Sequence, residues 1–484
     1  MKDLEHILEG IDYTVFGKLP KSVTSLANDS RKVKKGSLFF AIRGTSTDGH
    51  KYLDQAVNND ASAVVVEEKS DLDIPQIIVE NSRTALSRAA KNFYNDPTSK
   101  LKLIGITGTN GKTSTVYILR QILNSAQIPN GSVGTLGYTI KDQHFDSSLT
   151  TPDIIDLQKT YRKMVAQNVK IAIMEVSSHA LAMKRVEDIH FQGVCFTNIS
   201  QDHLDFHKNM DNYASTKARL FGMVDSSGFA ISSIDSQYSH LFIDNCMATV
   251  HTFSMEKDAD YTWSADTTFH NTIKGRIRTP DQNIKIECPL SGKFNLQNIL
   301  AAVAIADQLE IKKENISKAM AEIESVPGRL QEITAQGQPR IFIDYAHTPD
   351  AILNVLEELH NITPENGQLK VIYGCGGNRD RAKRPLMTQA VEKYADLPIL
   401  TTDNPRFEEP EDIISHAEQG FSENSDYQII INRKEAIQNT LKNSSQTDII
   451  AILGKGHETY QEIKGKKYPF SDFKIVQEWI DENN

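Results

Sequence analysis

Residues 107–115 read TGTNGKTST, set between the apolar run LKLIGIT (101–107) and the helical pattern STVYILRQIL. Gly108 and Gly111 free the backbone N–H groups to curl around phosphate oxygens, at the positive end of the dipole of the helix that follows. Lys112 can reach the outer phosphates of a nucleotide, and the Thr113 hydroxyl can ligate Mg²⁺. The spacing departs from the strict G-x-x-x-x-G-K-[ST] form, because Ile106 holds the first glycine position and Gly105 lies one residue early. A glycine turn ahead of a surface lysine is the competing reading. The strand entering the turn and the helix leaving it favour phosphate binding.

Downstream, KIAIMEV (170–176) ends in Glu175 and continues as Ser177-Ser178-His179. An acid at a buried strand's carboxyl end, beside a phosphate loop, is placed to hold Mg²⁺; taken alone it reads as a terminal charge facing water. FTNISQDHLDFH (196–207) follows another strand, so Asn198, His203 and Asp205 are expected to face the same crevice. His203 reads as a metal ligand only by association with Glu175. YASTKARLF (213–221) sets Lys217 in an amphipathic helix, where the pattern by itself reads as a solvated lysine. Four more polar turns follow apolar runs: DYAHTPD (344–350) with Asp344, His347 and Asp350, GCGGNRDRAKRP (374–385), DNPRFEEP (403–410) with Arg406, and GKGHE (454–458). Together they describe a pocket for a charged small molecule.

The elements that must position these residues alternate between strand and helix. SLFFAI (37–42), SAVVVEE (62–68) and PQIIVE (75–80) read as strands, with TALSRAAKNFY (84–94) as a closing helix and NDPTSK (95–100) as a linker. GVCFTNI (193–199) and FAISSI (229–234) extend the second block, a polar stretch near 255–290 alternates in shorter pieces, and SGKFNLQNILAAVAIADQL (291–309) carries a helix. ESVPGRLQEI (324–333) reads as an exit linker. The third block repeats the rhythm with RIFIDYA (340–346), LKVIYGCGG (369–377), LPILTT (397–402), YQIIIN (427–432) and DIIAILG (448–454), with AILNVLEELH (351–360) helical between them. Alternation of this kind predicts an α/β protein of parallel sheets, with ligands at the carboxyl ends of the strands.

A length of 484 residues suggests about three domains. The 39% hydrophobic and 24% charged composition excludes a disordered or collagen-like chain. A net charge of −10 argues against nucleic acid or anionic lipid as a partner. Cys195, Cys246, Cys288 and Cys375 lie far apart with no C-x-x-C pair, so neither a disulfide framework nor a zinc site is expected. MKDLEHILEG shows no secretory signal and no apolar run reaches about 18 residues, so a cytoplasmic protein without a membrane span is expected.

TGTNGKTS, MEVSSHAL, FTNISQDHLDFH, YASTKARLF, PGRLQEI, DYAHTPD, GCGGNRD, DNPR and GKGHE, in this order along the whole chain, resemble the Mur ligases of peptidoglycan precursor synthesis. Within that family the likeness is to the members that add meso-2,6-diaminopimelate to UDP-N-acetylmuramoyl-L-alanyl-D-glutamate with ATP. The resemblance implies three domains: a uridine-nucleotide domain (1–98), a central ATP-binding domain (99–330) and a Rossmann-like amino-acid domain (331–484). It implies ATP binding at Gly108, Thr109, Asn110, Gly111, Lys112, Thr113, Ser114, Asn295, Arg329 and Asp344. Mg²⁺ would be held by Thr113, Glu175, His203 and Lys217. In the family the lysine of the Y-x-x-x-K motif is carbamylated, which replaces the solvated reading of Lys217, since CO₂ turns a cation into a metal-bridging carboxylate. Lys112, Lys217, Glu175, His203 and His347 are the implied catalytic set.

The DSR motif places Asp29, Ser30 and Arg31 in the first domain, with Ser30 near the uracil; Thr150, Thr151, Ser177 and Arg185 follow as contacts to the rest of the nucleotide substrate. Diaminopimelate would be met by Arg379, Asp403, Asn404, Pro405, Arg406, Gly454 and Glu458. Two departures from the family pattern are Met183, where these relatives often have Gln, and ISSID (231–235), where they commonly show an Asn-Asp-Asp run. Partners are thus small molecules, and a monomer is expected. Lysine addition is the near alternative, and Arg406 argues against it because a guanidinium fork pairs with diaminopimelate's extra carboxylate. Folylpolyglutamate synthetase resembles the loop but typically shows Gly-Lys-Gly-Ser. A non-enzymatic nucleotide-binding switch accounts for the phosphate loop and leaves the third-block motifs unused.

Overall fold

The computed structural model describes residues 1–484 except 45–46, 148, 265–271, 291 and 484. Ser291, the first residue of the helical segment expected over 291–309, therefore lies outside the described residues; the helix itself runs Lys293–Gln308.

Three sheets organise the chain. The first has five strands in the order Thr14–Phe16, Gln76–Ile78, Ala61–Val66, Ser37–Phe40, Ser25–Ala27, parallel apart from the Thr14–Phe16 edge. Helix Ser82–Phe93 starts at Asn81, whose side chain accepts the Thr84 N–H. It buries Ala85, Leu86, Ala89, Ala90 and Phe93, which recur at helical spacing on one face. That face enters an apolar core shared with Leu157, Tyr161 and Met164 of helix Ile154–Ala166, so the first two domains are packed through one continuous core.

The second sheet has eleven strands. Its middle is parallel, in the order Asn130–Gly134, Ile171–Glu175, Lys102–Thr107, Phe191–Phe196, Val224–Ser233, Thr249–Ser254, Tyr261–Ser264. The expected parallel sheet forms this middle, and each edge adds an antiparallel hairpin. Gly137–Ile140 with Gln143–Phe145, and Ile273–Arg278 with Asn283–Cys288, are antiparallel hairpins. Their connections are too short for a crossover, and a tight turn can join only antiparallel neighbours. In the second hairpin Ile273, Ile277, Ile284, Ile286 and Cys288 are buried, alternating with polar residues, which is what the polar stretch near 255–290 encodes.

The third sheet runs Gln331–Ile333, Arg340–Asp344, Ile449–Leu453, Leu369–Cys375, Leu397–Thr402, Gln428–Ile429. Only its first strand is antiparallel. Two readings change here. The end of the 324–333 linker is a strand, because Gln331, Glu332 and Ile333 pair with Ile343, Phe342 and Ile341. YQIIIN contributes only Gln428–Ile429 as strand, with Ile429 and Ile431 exposed at the sheet edge.

Candidate active site

Adjacent parallel strands Ile171–Glu175, Lys102–Thr107 and Phe191–Phe196 end on one edge of the central sheet, and the chemistry-bearing loops leave from there. Gly111, at φ +82°, opens helix Lys112–Ser125 in the left-handed region, and a Cβ on it would lie 2.2 Å from Asn298 Oδ1. A Cβ on Gly108 would lie 2.0 Å from Thr197 Oγ1. Only glycine lets this turn close against its neighbours. Lys112 Nζ donates to the carbonyls of Gly108 (2.9 Å) and Thr109 (2.8 Å) across the mouth of the loop. Burial holds the Lys112 ammonium below its usual range, with Glu175 opposing that shift.

Thr113 Oγ1 donates to Glu175 Oε2 at 2.9 Å and accepts from Arg329 Nη2 at 3.2 Å. Glu175 is 1% exposed and also accepts the Thr135 N–H (2.8 Å) and hydroxyl (3.0 Å). Thr150 Oγ1 lies 3.1 Å from Thr135 Oγ1, and Thr151 Oγ1 donates to the Glu175 carbonyl at 2.7 Å and accepts from Ser177 N at 3.0 Å. These hydroxyls hold the carboxylate in one orientation beside the phosphate loop.

Lys217 is 2% exposed, so the solvated reading of its helix is overturned by the structure. The expected amphipathic face turns inward because the helix packs under the loop, and Lys217 Nζ donates to the Gly108 carbonyl at 2.7 Å. Burial, then the nearby charge of Lys112, holds its ammonium well below the ordinary value. His203 adopts a left-handed φ of 56° and stacks edge-on to His179 at 4.7 Å. Asp202 accepts the His203 N–H at 2.9 Å and lies 3.3 Å from His203 Nε2. Burial pushes the His203 imidazole down to about 3, against the pull of Asp202.

The third domain closes over this edge. Lys383 Nζ lies 3.4 Å from Asp202 Oδ1, Asn110 Nδ2 donates to Asp350 Oδ2 at 3.1 Å, and Arg329 stacks on Tyr345 at 4.7 Å while touching Thr113. His347 Nδ1 lies 2.8 Å from the Tyr345 carbonyl, and burial with the Lys383 charge pushes its imidazole down to about 4. Asp344 accepts the N–H groups of Leu330 and Ala346, both at 2.6 Å, and pins the chain that enters the domain.

Among the cavities that result, one of 740 Å³ reaches Thr113, Thr135, Glu175 and Glu458 from the Tyr117 and His457 side, and two others meet the loop directly. One of 430 Å³ is lined by Lys112, Thr113, Glu175, His203, Lys217 and His347, by Thr150, Thr151, Ser177 and Arg185, and across the cleft by Arg379, Asp403, Asn404, Arg406, Gly454 and Glu458. The other, of 280 Å³, meets the loop from the opposite side at Asn110, Gly111 and Ser114, with Asn298, Ser233, Asp235, Arg329 and Asp344. On the far wall of the 430 Å³ cavity, Glu458 Oε2 accepts from Asn404 Nδ2 (2.8 Å) and from the fully buried Lys455 (2.7 Å). Arg406 takes φ 55°, donates to the Gly377 carbonyl at 2.8 Å and pairs with Glu462 at 3.3 Å.

The predicted residues do not all converge. Ser30 sits in the first domain, donating to Gln55 Oε1 at 2.7 Å, and lines neither cavity. Asn295 is buried in its helix outside both linings, while Asn298, one turn on, takes the place beside Gly111. Asp205 is exposed, and Asn198 lines the smaller cavity rather than that of His203, so the single crevice expected for Asn198, His203 and Asp205 is corrected. Left-handed backbone at His203 turns the chain between them. Asp202, Thr135, Lys383 and Lys455 were not singled out, because only tertiary contact distinguishes them from other polar loop residues.

Residues 22–96 match the Mur ligase family catalytic domain, 106–306 the Mur ligase middle domain, and 328–456 the Mur ligase glutamate ligase domain. The chain belongs to the Mur ligase family. It is 41% identical to UDP-N-acetylmuramoyl-L-alanyl-D-glutamate–2,6-diaminopimelate ligase of Caldanaerobacter subterraneus subsp. tengcongensis, covering 99% of both chains. The Aquifex aeolicus ligase of the same name is 41% identical, over 95% of this chain and 94% of that one. A solved structure of a ligase with that name superposes with a TM-score of 0.67 at 31% identity, covering 96% of each chain. No described helix of this Mur ligase is long and apolar enough to cross a membrane.

Proposed function

We propose that this Mur ligase joins meso-2,6-diaminopimelate to UDP-N-acetylmuramoyl-L-alanyl-D-glutamate with ATP, in cytoplasmic peptidoglycan precursor synthesis. One observation carries the reading: a single cavity is lined on one wall by the phosphate loop and on the other by Arg379 and Arg406. ATP lies along Gly108–Ser114, with its base end in the 280 Å³ cavity. The domains are taken as 1–98, 99–330 and 331–484, the first holding the uridine end near Ser30 and passing the dipeptide to Thr150, Thr151, Ser177 and Arg185.

The D-glutamyl γ-carboxylate attacks the γ-phosphorus of ATP, giving an acyl phosphate and ADP. The neutral amine of diaminopimelate then attacks the acyl carbon, phosphate leaves and one proton is lost. Lys112 neutralises the transferred phosphoryl group, and Arg329 orients Thr113. The donor set fits Mg²⁺ in the oxygens it supplies: the Thr113 hydroxyl meets the buried Glu175 carboxylate beside the loop, and the His203 imidazole lines the same cavity. Thr113, Glu175, His203 and a carbamate on Lys217 would hold the metal, which neutralises phosphate charge when bound. Lys217 Nζ forms that carbamate by adding CO₂ and losing a proton. Arg379 and Arg406 pair with the distal carboxylate of diaminopimelate, and Glu458 with its distal ammonium.

Purified protein offered ATP, the nucleotide dipeptide and single amino acids should release phosphate with meso-diaminopimelate and very little with L-lysine. Equal or greater release with lysine would overturn the amine assignment. Loss of release in a folded Lys112→Ala protein checks the phosphate loop, and near-normal release there would count against it.

A further inference from the structure

We propose that Glu408 is a positioning residue for amine recognition, fixing the spacing of Arg379 and Arg406 by tying together the two loops that carry them. The inference rests on the reading of that pocket given above. The loops leave adjacent parallel strands, and the ladder between them stops at the pair Cys375 and Thr402. Arg379 and Arg406 each stand four residues past that point, so the ladder between these two strands reaches neither. Arg406 is bridged instead to Ile463, its N–H donating to the Glu462 carbonyl at 3.0 Å.

Glu408 supplies the charged connection between the two loops. Its carboxylate accepts from the Asn378 N–H and from Arg384 Nη2, which reaches both oxygens at 2.9 and 3.1 Å, and it pairs with Arg381 Nη2 at 3.1 Å. Every one of these donors belongs to the Arg379 segment. Phe407 N donates back to Asn378 Oδ1 at 3.0 Å, and Gly377 N donates to the Asn404 carbonyl at 2.9 Å, which completes the stitching. Arg384 is 1% exposed, so the central pair is shielded from water. Burial alone would raise the Glu408 carboxyl, yet the bonds from Arg384 and Asn378 keep it below its usual range.

The two recognition arginines converge on the same strip of backbone. A Cβ on Gly376 would lie 3.0 Å from Arg406 Nη1 and 3.6 Å from Arg379 Cγ. Glu408 itself does not line the 430 Å³ cavity, so it acts through the loops rather than on the amine. Long arginine side chains lose much rotamer freedom on binding, and a fork preset by its loops loses less. A loosened pair of loops therefore weakens amine binding while leaving the nucleotide sites alone.

Steady-state constants for all three substrates test this on Glu408→Gln, Glu408→Asp and the double variant Glu408→Gln/Arg384→Met. The double variant removes both buried charges together, so no guanidinium is left buried without its counter-charge. Expected is a tenfold or larger rise in KM for diaminopimelate in Glu408→Gln and in the double variant. KM for ATP and for the nucleotide dipeptide should stay within twofold, and Glu408→Asp should recover part of the loss. A purely structural role lowers the active fraction, cutting kcat with every KM unchanged. The proposal is overturned by a diaminopimelate KM within twofold of the original in either folded variant, or by failure of both to fold. Failure of the underlying reading looks different: the unaltered protein would then not consume diaminopimelate at all.

Discussion

Lys217 shows how far a residue's chemistry depends on what surrounds it. Buried beneath the Gly108 carbonyl, with burial and the Lys112 charge holding its ammonium well below the ordinary value, it is biased toward the neutral amine, which is the form that adds CO₂. Protein exchanged into ¹³C-bicarbonate should show a carbamate carbon signal that is missing from Lys217→Ala. That variant should lose about 10³-fold or more in kcat, ~4 kcal/mol of transition-state stabilisation, with partial rescue by formate or acetate. A full-activity Lys217→Ala protein would refute the carbamate. Arg406 belongs to the same scale. Arg406→Ala should lose most diaminopimelate turnover and lower the ratio of diaminopimelate to lysine use. A site built for a charged group can discriminate by about 10⁴-fold, and that selectivity goes with the group. An unchanged ratio of kcat/KM values would show that Arg406 does not set specificity.

At the scale of elements, the strand–loop–helix unit at 102–125 was legible because its glycines, lysine and threonine are contiguous. What the loop packs against was not. Gly111→Ala must place a Cβ against Asn298 in a backbone region costly for alanine. It should destabilise the protein by about 1–3 kcal/mol and abolish nucleotide binding, read by thermal melting with and without ADP; an ADP-induced rise in Tm equal to that of the unaltered protein would sink this account. In the third domain Arg433 and Asp472 form a fully buried pair at 2.7 Å joining helices Arg433–Lys442 and Asp472–Asn483. Asp472→Asn should cost about 3–5 kcal/mol, because it leaves a guanidinium buried without its counter-charge. Chemical denaturation measures this directly, and a loss under about 1 kcal/mol would mean the site relaxes to admit water.

On the scale of the whole molecule, the contacts Lys383–Asp202, Asn110–Asp350 and Arg329–Tyr345 hold the third domain against the second. Lys383→Met should open the cleft, lowering kcat and raising the radius of gyration seen by X-ray scattering in the presence of ADP. An unaltered radius and kcat would show that the pair contributes nothing to closure. The pH sign follows from Asp202. Burial would raise its carboxyl, but Lys383, His203 and His347 outweigh that and hold it below the ordinary 3.8. Its contribution is therefore complete above that ordinary value and is lost as pH falls through the lower folded value. Closure should persist across neutral pH and fail only in strong acid.

The sequence by itself determined the parts of this Mur ligase whose signals are local. Apolar runs of strand length marked Ile171–Glu175, Lys102–Thr107, Phe191–Phe196 and Val224–Ser233 of the second sheet and the main parallel strands of the third, but not Asn130–Gly134 or Thr249–Ser254. Contiguous motifs marked Lys112–Thr113, Glu175, His347 and Arg406 at strand ends. Only the tertiary structure decided which of those ends meet. Antiparallel edges such as Gly137–Ile140 and Gln331–Ile333 are short and half polar, so they form because a neighbouring strand is there to pair with. Lys217 turned out buried because its helix lies under the phosphate loop, a fact that amphipathic spacing cannot contain. Asp202, Lys383 and Glu408 look like ordinary charges along the chain. They take on their roles because folding brings them to within about 3 Å of partners from other strand ends, where water no longer screens them.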